Sequence, residues 1–270
     1  MLRKIMWLPS LLSLFLTATV IASTEAIDQA DGPEEKGLEI AKEMDRRDSG
    51  WGDQSAHLRM ILRNRSGQES DREMRNHILE MEDDGDRSLL IFDNPPDVKG
   101  VVVLTLSHAL EPDDQWLYLP SLKRIKRISS RNKSGPFMGS EFAYEDLSSQ
   151  EVEKYGYEYL RDEVIDGRDT FVIKRSPRYK YSGYTHIISW VDKTMWQPIK
   201  LEFYDRKGDL LKTLRLLEYR QFLDRYWRSA RMEMENHQTN KSTTLLWTDY
   251  RFQSGFTERD FERNRLKRVR

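Results

Sequence analysis

From residue 54 the chain alternates. Ala56, Leu58, Met60 and Leu62 are apolar, and Ser55, His57, Arg59 and Arg63 are polar, the period-two pattern of a half-buried strand. Asn64-Arg-Ser-Gly67 supplies a turn, and residues 72–81 return as a partner strand. Strand-like runs recur at 88–92, 101–106, 115–119, 123–128, 157–164 and 170–174, then at 184–192, 198–204, 210–221, 225–236 and 242–252. Asp83-Asp-Gly-Asp86, Asp166-Gly-Arg-Asp169 and Asp205-Arg-Lys-Gly208 separate them with hairpin-turn chemistry. More than ten short strands at regular spacing predict a large antiparallel sheet.

Pro33–Asp48 breaks the alternation. Leu38, Ala41 and Met44 make an apolar helical stripe, Pro33 sits near the first turn, and Glu34, Glu35 and Arg46, Arg47 suit the two ends of the helix dipole. Gly50 ends it. Ser148-Ser-Gln-Glu151 and Thr257-Glu-Arg-Asp260 have capping-box spacing and predict two brief helices. With no linker and no repeat, residues 27–270 read as one domain: a curved sheet whose concave side is covered by the helix.

The start of the chain changes the picture. Arg3 and Lys4 precede an apolar run over 11–22, followed by small residues. That order predicts a secretory leader over 1–26, cleaved after Ala22 or Ala26; a membrane anchor needs ~20 apolar residues, and this run is shorter. Cysteine is absent, which excludes a disulfide framework, a thiol nucleophile, a cysteine metal site and a lipidated cysteine anchor. The expectation is an exported, periplasmic chain that is not lipid-anchored. With 44 Lys and Arg against 45 Asp and Glu, no nucleic-acid partner is implied.

Candidate chemistry is sparse. His57, His77, His108, His186 and His237 show no metal-ligand spacing, and no nucleophile elbow or phosphate loop is present. No catalytic, cofactor-binding or metal residues are assigned. Glu141, Glu145 and Asp146 flank Tyr144 without a second catalytic group. In the run 122–128, Arg124 and Lys126 would point one way and Lys123 and Arg127 the other, so cations stand on both sheet faces. They serve either an anionic headgroup or partner near a cavity mouth, or internal pairing with Glu141, Glu145 or Asp146. The loop 129–138 ends in the apolar pair Phe137-Met138, a docking candidate. Methionines in strand-like runs suit a surface that repacks around varied acyl chains. Cavity candidates are Leu58, Met60, Leu62, Met232 and Met234, with Phe92, Leu104 and Phe203 as core or cavity members.

The strings NRSGQESDREMR (64–75), DDQWLYLPSLKRIKRISSRNKSGPFMGSEFAYEDLSSQEVEKY (113–155), YDRKGDLLKTL (204–214) and RMEMENHQTNKSTTLLWTDY (231–250) resemble the LolA-like outer-membrane lipoprotein-sorting family. The resemblance runs from about Met44 to the C-terminus. It implies a mainly β fold with a few helices: an open, incomplete β-barrel of curved antiparallel sheet with a helical lid over a hydrophobic cavity. It implies a monomeric, non-enzymatic carrier of lipid or lipoprotein acyl chains between inner and outer membranes, working with an RND-superfamily (MMPL-type) inner-membrane transporter. The alternatives are a transporter accessory subunit that carries nothing, and an envelope hydrolase.

Overall fold

The structure, a computed structural model, describes residues 26–269; the expected leader lies outside them except for Ala26. In β1 (Asp53–Arg63), Ala56, Leu58 and Met60 are buried while His57 and Arg59 are exposed. The turn to β2 (Glu69–Leu79) is built by Asn64, whose Oδ1 accepts the N–H groups of Ser66 and Gln68, each at 3.0 Å. Such an Asx turn needs no tertiary contact to form. The meander continues through β3 (Arg87–Asn94), β4 (Val102–Leu106), β5 (Asp114–Leu119) and β6 (Arg124–Ile128).

A second meander holds β7 (Tyr155–Ile165), β8 (Arg168–Pro177), β9 (Tyr184–Asp192) and β10 (Pro198–Asp205). It ends with β11 (Leu210–Phe222), β12 (Tyr226–Asn236) and β13 (Lys241–Phe252). The last strand pairs with β1, so both meanders join in one antiparallel sheet of thirteen strands with β6 and β7 as its edges. The sheet is curved and open, the expected LolA-superfamily architecture.

The main apolar cluster occupies the concave face, with Leu58, Met60, Met74 and Phe92 toward one side and Ile187, Leu201, Phe203 and Leu214 toward the other. The convex face carries two smaller clusters. Leu89, Ile91, Val102 and Leu104 are covered by Phe261 and Leu266 of the C-terminal segment. Val172, Ile188 and Trp190 pack with Met195 and Ile199. Strands β3, β4, β8 and β9 are therefore apolar on both faces, which is why their sequences run apolar without alternation.

Helix α1 (Pro33–Asp48) packs against β7, with Ile40 and Ala41 buried and Leu38 and Met44 half-buried beside them. Gly37 sets the distance: a Cβ there would stand 2.8 Å from backbone atoms of Glu158 and Tyr159. Glu43, buried, holds Arg46 at 2.7 Å and Arg47 at 2.5 Å.

The crossover between β6 and β7, residues 129–154, carries only short 3-10 turns where the capping-box spacing predicts a brief helix. It crosses the concave face and is tied down by buried polar groups. Lys212 of β11 donates to Asp146 Oδ2 at 2.7 Å and to the Glu141 carbonyl at 2.9 Å. The Tyr184 hydroxyl donates to Asp146 Oδ1 at 2.8 Å, and Glu145 accepts from Gly183 N–H and Ser182 Oγ. Burial and the neighbouring Asp146 push the Glu145 carboxyl above the usual range. These carboxylates thus latch a plug onto the second meander.

Candidate lipid cavity

The plug fills only part of the concave face. Beside it lies a cavity of about 750 Å³, within the ~300–1,000 Å³ span of ligand pockets. Its wall is built by strand alternation: Leu201 and Phe203 of β10, Leu214 and Leu216 of β11, Met232 and Met234 of β12 all line it. Register sharpens the surface, because Leu214 stands opposite Met234 and Leu216 opposite Met232. Each such pair alternates an unbranched thioether with a branched aliphatic chain, a wall that adapts by rotamer change. Phe142, Asp146 and Tyr184 close the inner end, and Ala41 and Met44 of α1 form the cover.

The mouth is of opposite character. Asp45 and Asp48 at the end of α1, Glu80 and Asp86 at the β2–β3 hairpin, and Glu151 and Glu153 of the crossover all border the cavity. Two arginines share it. Arg228 is spent on Asp48 at 2.6 Å and Gln54 at 3.0 Å, and Arg175 lies over the Tyr155 ring. Burial, and then the nearby Glu151, push the Asp86 carboxyl up to about 7. Asp45, Asp48 and Glu151 are also raised, burial being the first cause for each.

Of the sequence candidates, Phe203, Met232 and Met234 line the cavity. Leu58, Met60 and Phe92 are buried on the same concave face with Phe137 and Phe142, Leu62 is half-buried beside them, and none of these four sequence candidates lines the cavity. Leu104 is corrected: β4 is apolar on both faces, and Val103, not Leu104, points to the concave side. Phe137 is likewise corrected. It is fully buried, its ring 6.0 Å from Phe92 and 5.5 Å from Tyr144, so it plugs the sheet instead of presenting an apolar pair for docking. Met138 is half-buried beside it.

Lys123, Arg124, Lys126 and Arg127 are exposed on or beside the edge strand β6 and do not border the cavity. Arg127 pairs with Asp114, and none of the four meets Glu141, Glu145 or Asp146. Among the described residues no cluster of His, Asp and Glu suits a metal ion. The residues that sequence reasoning misses are the acidic collar and Lys212. The collar comes from three distant segments, of which the Asp83–Asp86 run reads only as a turn.

A family model described as "Uncharacterized protein" matches residues 84–268. A domain from Vibrio parahaemolyticus, named for outer membrane lipoprotein sorting, is 58% identical with a TM-score of 0.86, covering 87% of this chain and 99% of that one. A DUF1329 family protein from Desulfovibrio piger is 28% identical, with a TM-score of 0.83 over 87% of this chain and 99% of its own. A LolA superfamily protein from Nitrosomonas europaea shares the fold at 21% identity and a TM-score of 0.67, over 84% of this chain and 98% of that one. No curated protein matches the sequence.

Proposed function

This chain belongs to the DUF1329 family and has the LolA-superfamily fold, and on that footing we propose that it is a non-enzymatic periplasmic carrier of acyl chains. The observation that carries the reading is the register-matched Leu and Met wall around a cavity of about 750 Å³, covered by a single helix. An acyl chain in water costs about 0.8 kcal/mol per CH₂, so crossing an aqueous space requires such an enclosure. Thioether and aliphatic walls hold the chain without fixed geometry and let it go again. The cargo is a lipid or the acyl part of a lipoprotein, moved between inner and outer membranes as a monomer. An RND-superfamily transporter of the inner membrane is the loading partner, because docking there keeps the open cavity out of water during transfer.

Mass spectrometry of lipid extracted from gently purified protein tests this directly. A stoichiometric acyl species is expected. Its absence, with an intact fold and no uptake of added lipid, would leave a transporter subunit that carries nothing. Photo-crosslinking in cells from α1 and the cavity rim tests the partner, with capture of an inner-membrane transporter as the expected outcome.

A further inference from the structure

The mouth of the cavity holds a polar group with nothing to bind. Tyr157 of β7 is 8% exposed and lines the cavity. Its hydroxyl has no hydrogen-bond partner among the described residues, and the charges it feels are Arg175 first and then Glu153 and Asp45. The ring is buried while the hydroxyl opens to the cavity, so it is placed to meet a polar group that enters there. The two carboxylates beside it are also unused: neither the Asp45 nor the Glu153 side chain makes a hydrogen bond or an ion pair among the described residues. By contrast Asp48 holds Arg228, and Glu80 accepts the Gly50 and Gly52 N–H groups at 2.6 Å each.

The surrounding field is predominantly negative, although Arg175 stands opposite Tyr157 on β8. The C-terminal end of α1, negative by its dipole, delivers Asp45 and Asp48. Asp86 and Glu151 face them from the hairpin and the crossover. Two of the nearby cations are paired with carboxylates, Arg228 as above and Lys154 with Asp113 at 2.7 Å; Arg175 donates to the neutral Gln150 at 3.3 Å and keeps a buried Nε without a partner among the described residues. An anionic head entering here would find Arg175 as its one cation without a carboxylate partner, against Asp45, Asp86, Glu151 and Glu153. An ammonium would relieve the mutual repulsion that helps hold these carboxyls above their usual range.

We infer that the carried amphiphile has a cationic, ammonium-bearing head, seated between Asp45, Glu153 and the Tyr157 hydroxyl with its chain on the Leu and Met wall. This deepens the carrier reading and rests on it.

The test uses protein stripped of bound lipid and three probes of equal chain length, each below its micelle threshold: dodecylammonium, dodecanoate and an uncharged dodecyl glycoside. Calorimetric titration at about pH 8 is expected to give dodecylammonium about a tenfold lower Kd than dodecanoate, the scale of two partly solvated charge contacts. The double variant Asp45→Asn, Glu153→Gln removes no internal contact, so it should keep the thermal midpoint while bringing the two Kd values within about threefold. Lowering the pH to about 5.5 should shrink the preference in the parent protein, as Asp86 takes up its proton. Equal or tighter binding of dodecanoate, or full preference in the double variant, would overturn the headgroup inference. Glycoside binding with no preference between the ions would sink it while leaving carriage intact. Failure of all three probes would sink both.

Discussion

Met60 and Met234 stand on the same concave face, β1 and β12 being separated by β13 alone, and each is 1% exposed. Their surroundings differ in kind. Met60 lies under a crossover segment that carries Phe137 and Phe142 and is latched by Lys212, Asp146 and Tyr184. Met234 looks into a cavity whose cover is one amphipathic helix seated on β7. The strand pattern that makes both walls is the same; what lies over it decides which becomes core and which becomes a container. A latch of buried hydrogen bonds suits permanence. A helix placed by a glycine contact and by rim pairs such as Arg228–Asp48 suits movement.

The comparison breaks most severely at the latch. Lys212 is 3% exposed and meets Asp146 at 2.7 Å. Lys212→Ala leaves Asp146 with the Tyr184 hydroxyl and one backbone N–H but no cation. Removing one partner of a buried pair costs ~3–5 kcal/mol, and urea unfolding should register a loss of that size. A change under about 1 kcal/mol would show that the plug is held by its apolar contacts alone.

Truncating methionines separates the two regions next. Met60→Ala opens a hole in the buried cluster and should cost ~2–5 kcal/mol while leaving acyl-chain affinity unchanged. Met232→Ala enlarges a space that is already a cavity. It should cost less than about 1 kcal/mol, because the half-buried side chain leaves no sealed hole, yet weaken chain binding measurably. If both substitutions act alike on stability and on binding, the two halves form one continuous core and the contrast fails.

Much of this is legible in the sequence and some is not, for physical reasons. Alternation locates the strands because one side of most of them meets water; His57 and Arg59 against Leu58 and Met60 is the clearest case. The same logic fails for Leu104, because a strand buried on both faces carries no alternation to read. Pattern assigns Met60 and Met234 to one face but cannot separate them, since the cover over Met60 comes from residues 129–154, whose course is set by tertiary ties. Phe137 reads as available for docking because a polar, Gly-containing loop surrounds it; its burial depends on Phe92, 45 positions earlier in the chain. The acidic collar is invisible for the same reason: Asp45, Asp86 and Glu153 converge only after the sheet curls.

The mouth should also be sensed in stability against pH. Asp86 titrates at about 7 in the folded protein, against the ordinary aspartate value of 3.8. Between those values the native state holds a proton that the unfolded chain has released, so stability falls as pH rises through this window and levels off above it. Each tenfold change in proton affinity is worth about 1.4 kcal/mol, so a swing on the order of 1–3 kcal/mol is expected after partial solvation. Asp86→Asn keeps an acceptor for the Met81 N–H and should flatten the profile between about pH 4 and 7. An unchanged slope would place the pH sensitivity elsewhere in the collar.

The smallest effect is expected at the far edge of the sheet. Lys123, Arg124 and Lys126 have no ion-pair partner among the described residues and are exposed on or beside β6. Their triple Ala variant should change stability by about 0–1 kcal/mol and leave chain binding unchanged, since none of them borders the cavity. What should change is association. A short edge strand presents unpaired backbone groups, and charged side chains on it discourage pairing with another edge. Leu122, 53% exposed beside them, would then be unguarded. Light scattering on the triple variant should reveal more concentration-dependent association than the parent protein shows in the same measurement. A monodisperse variant that instead loses lipid would return these cations to a headgroup role and move the functional mouth to the opposite end of the crossover.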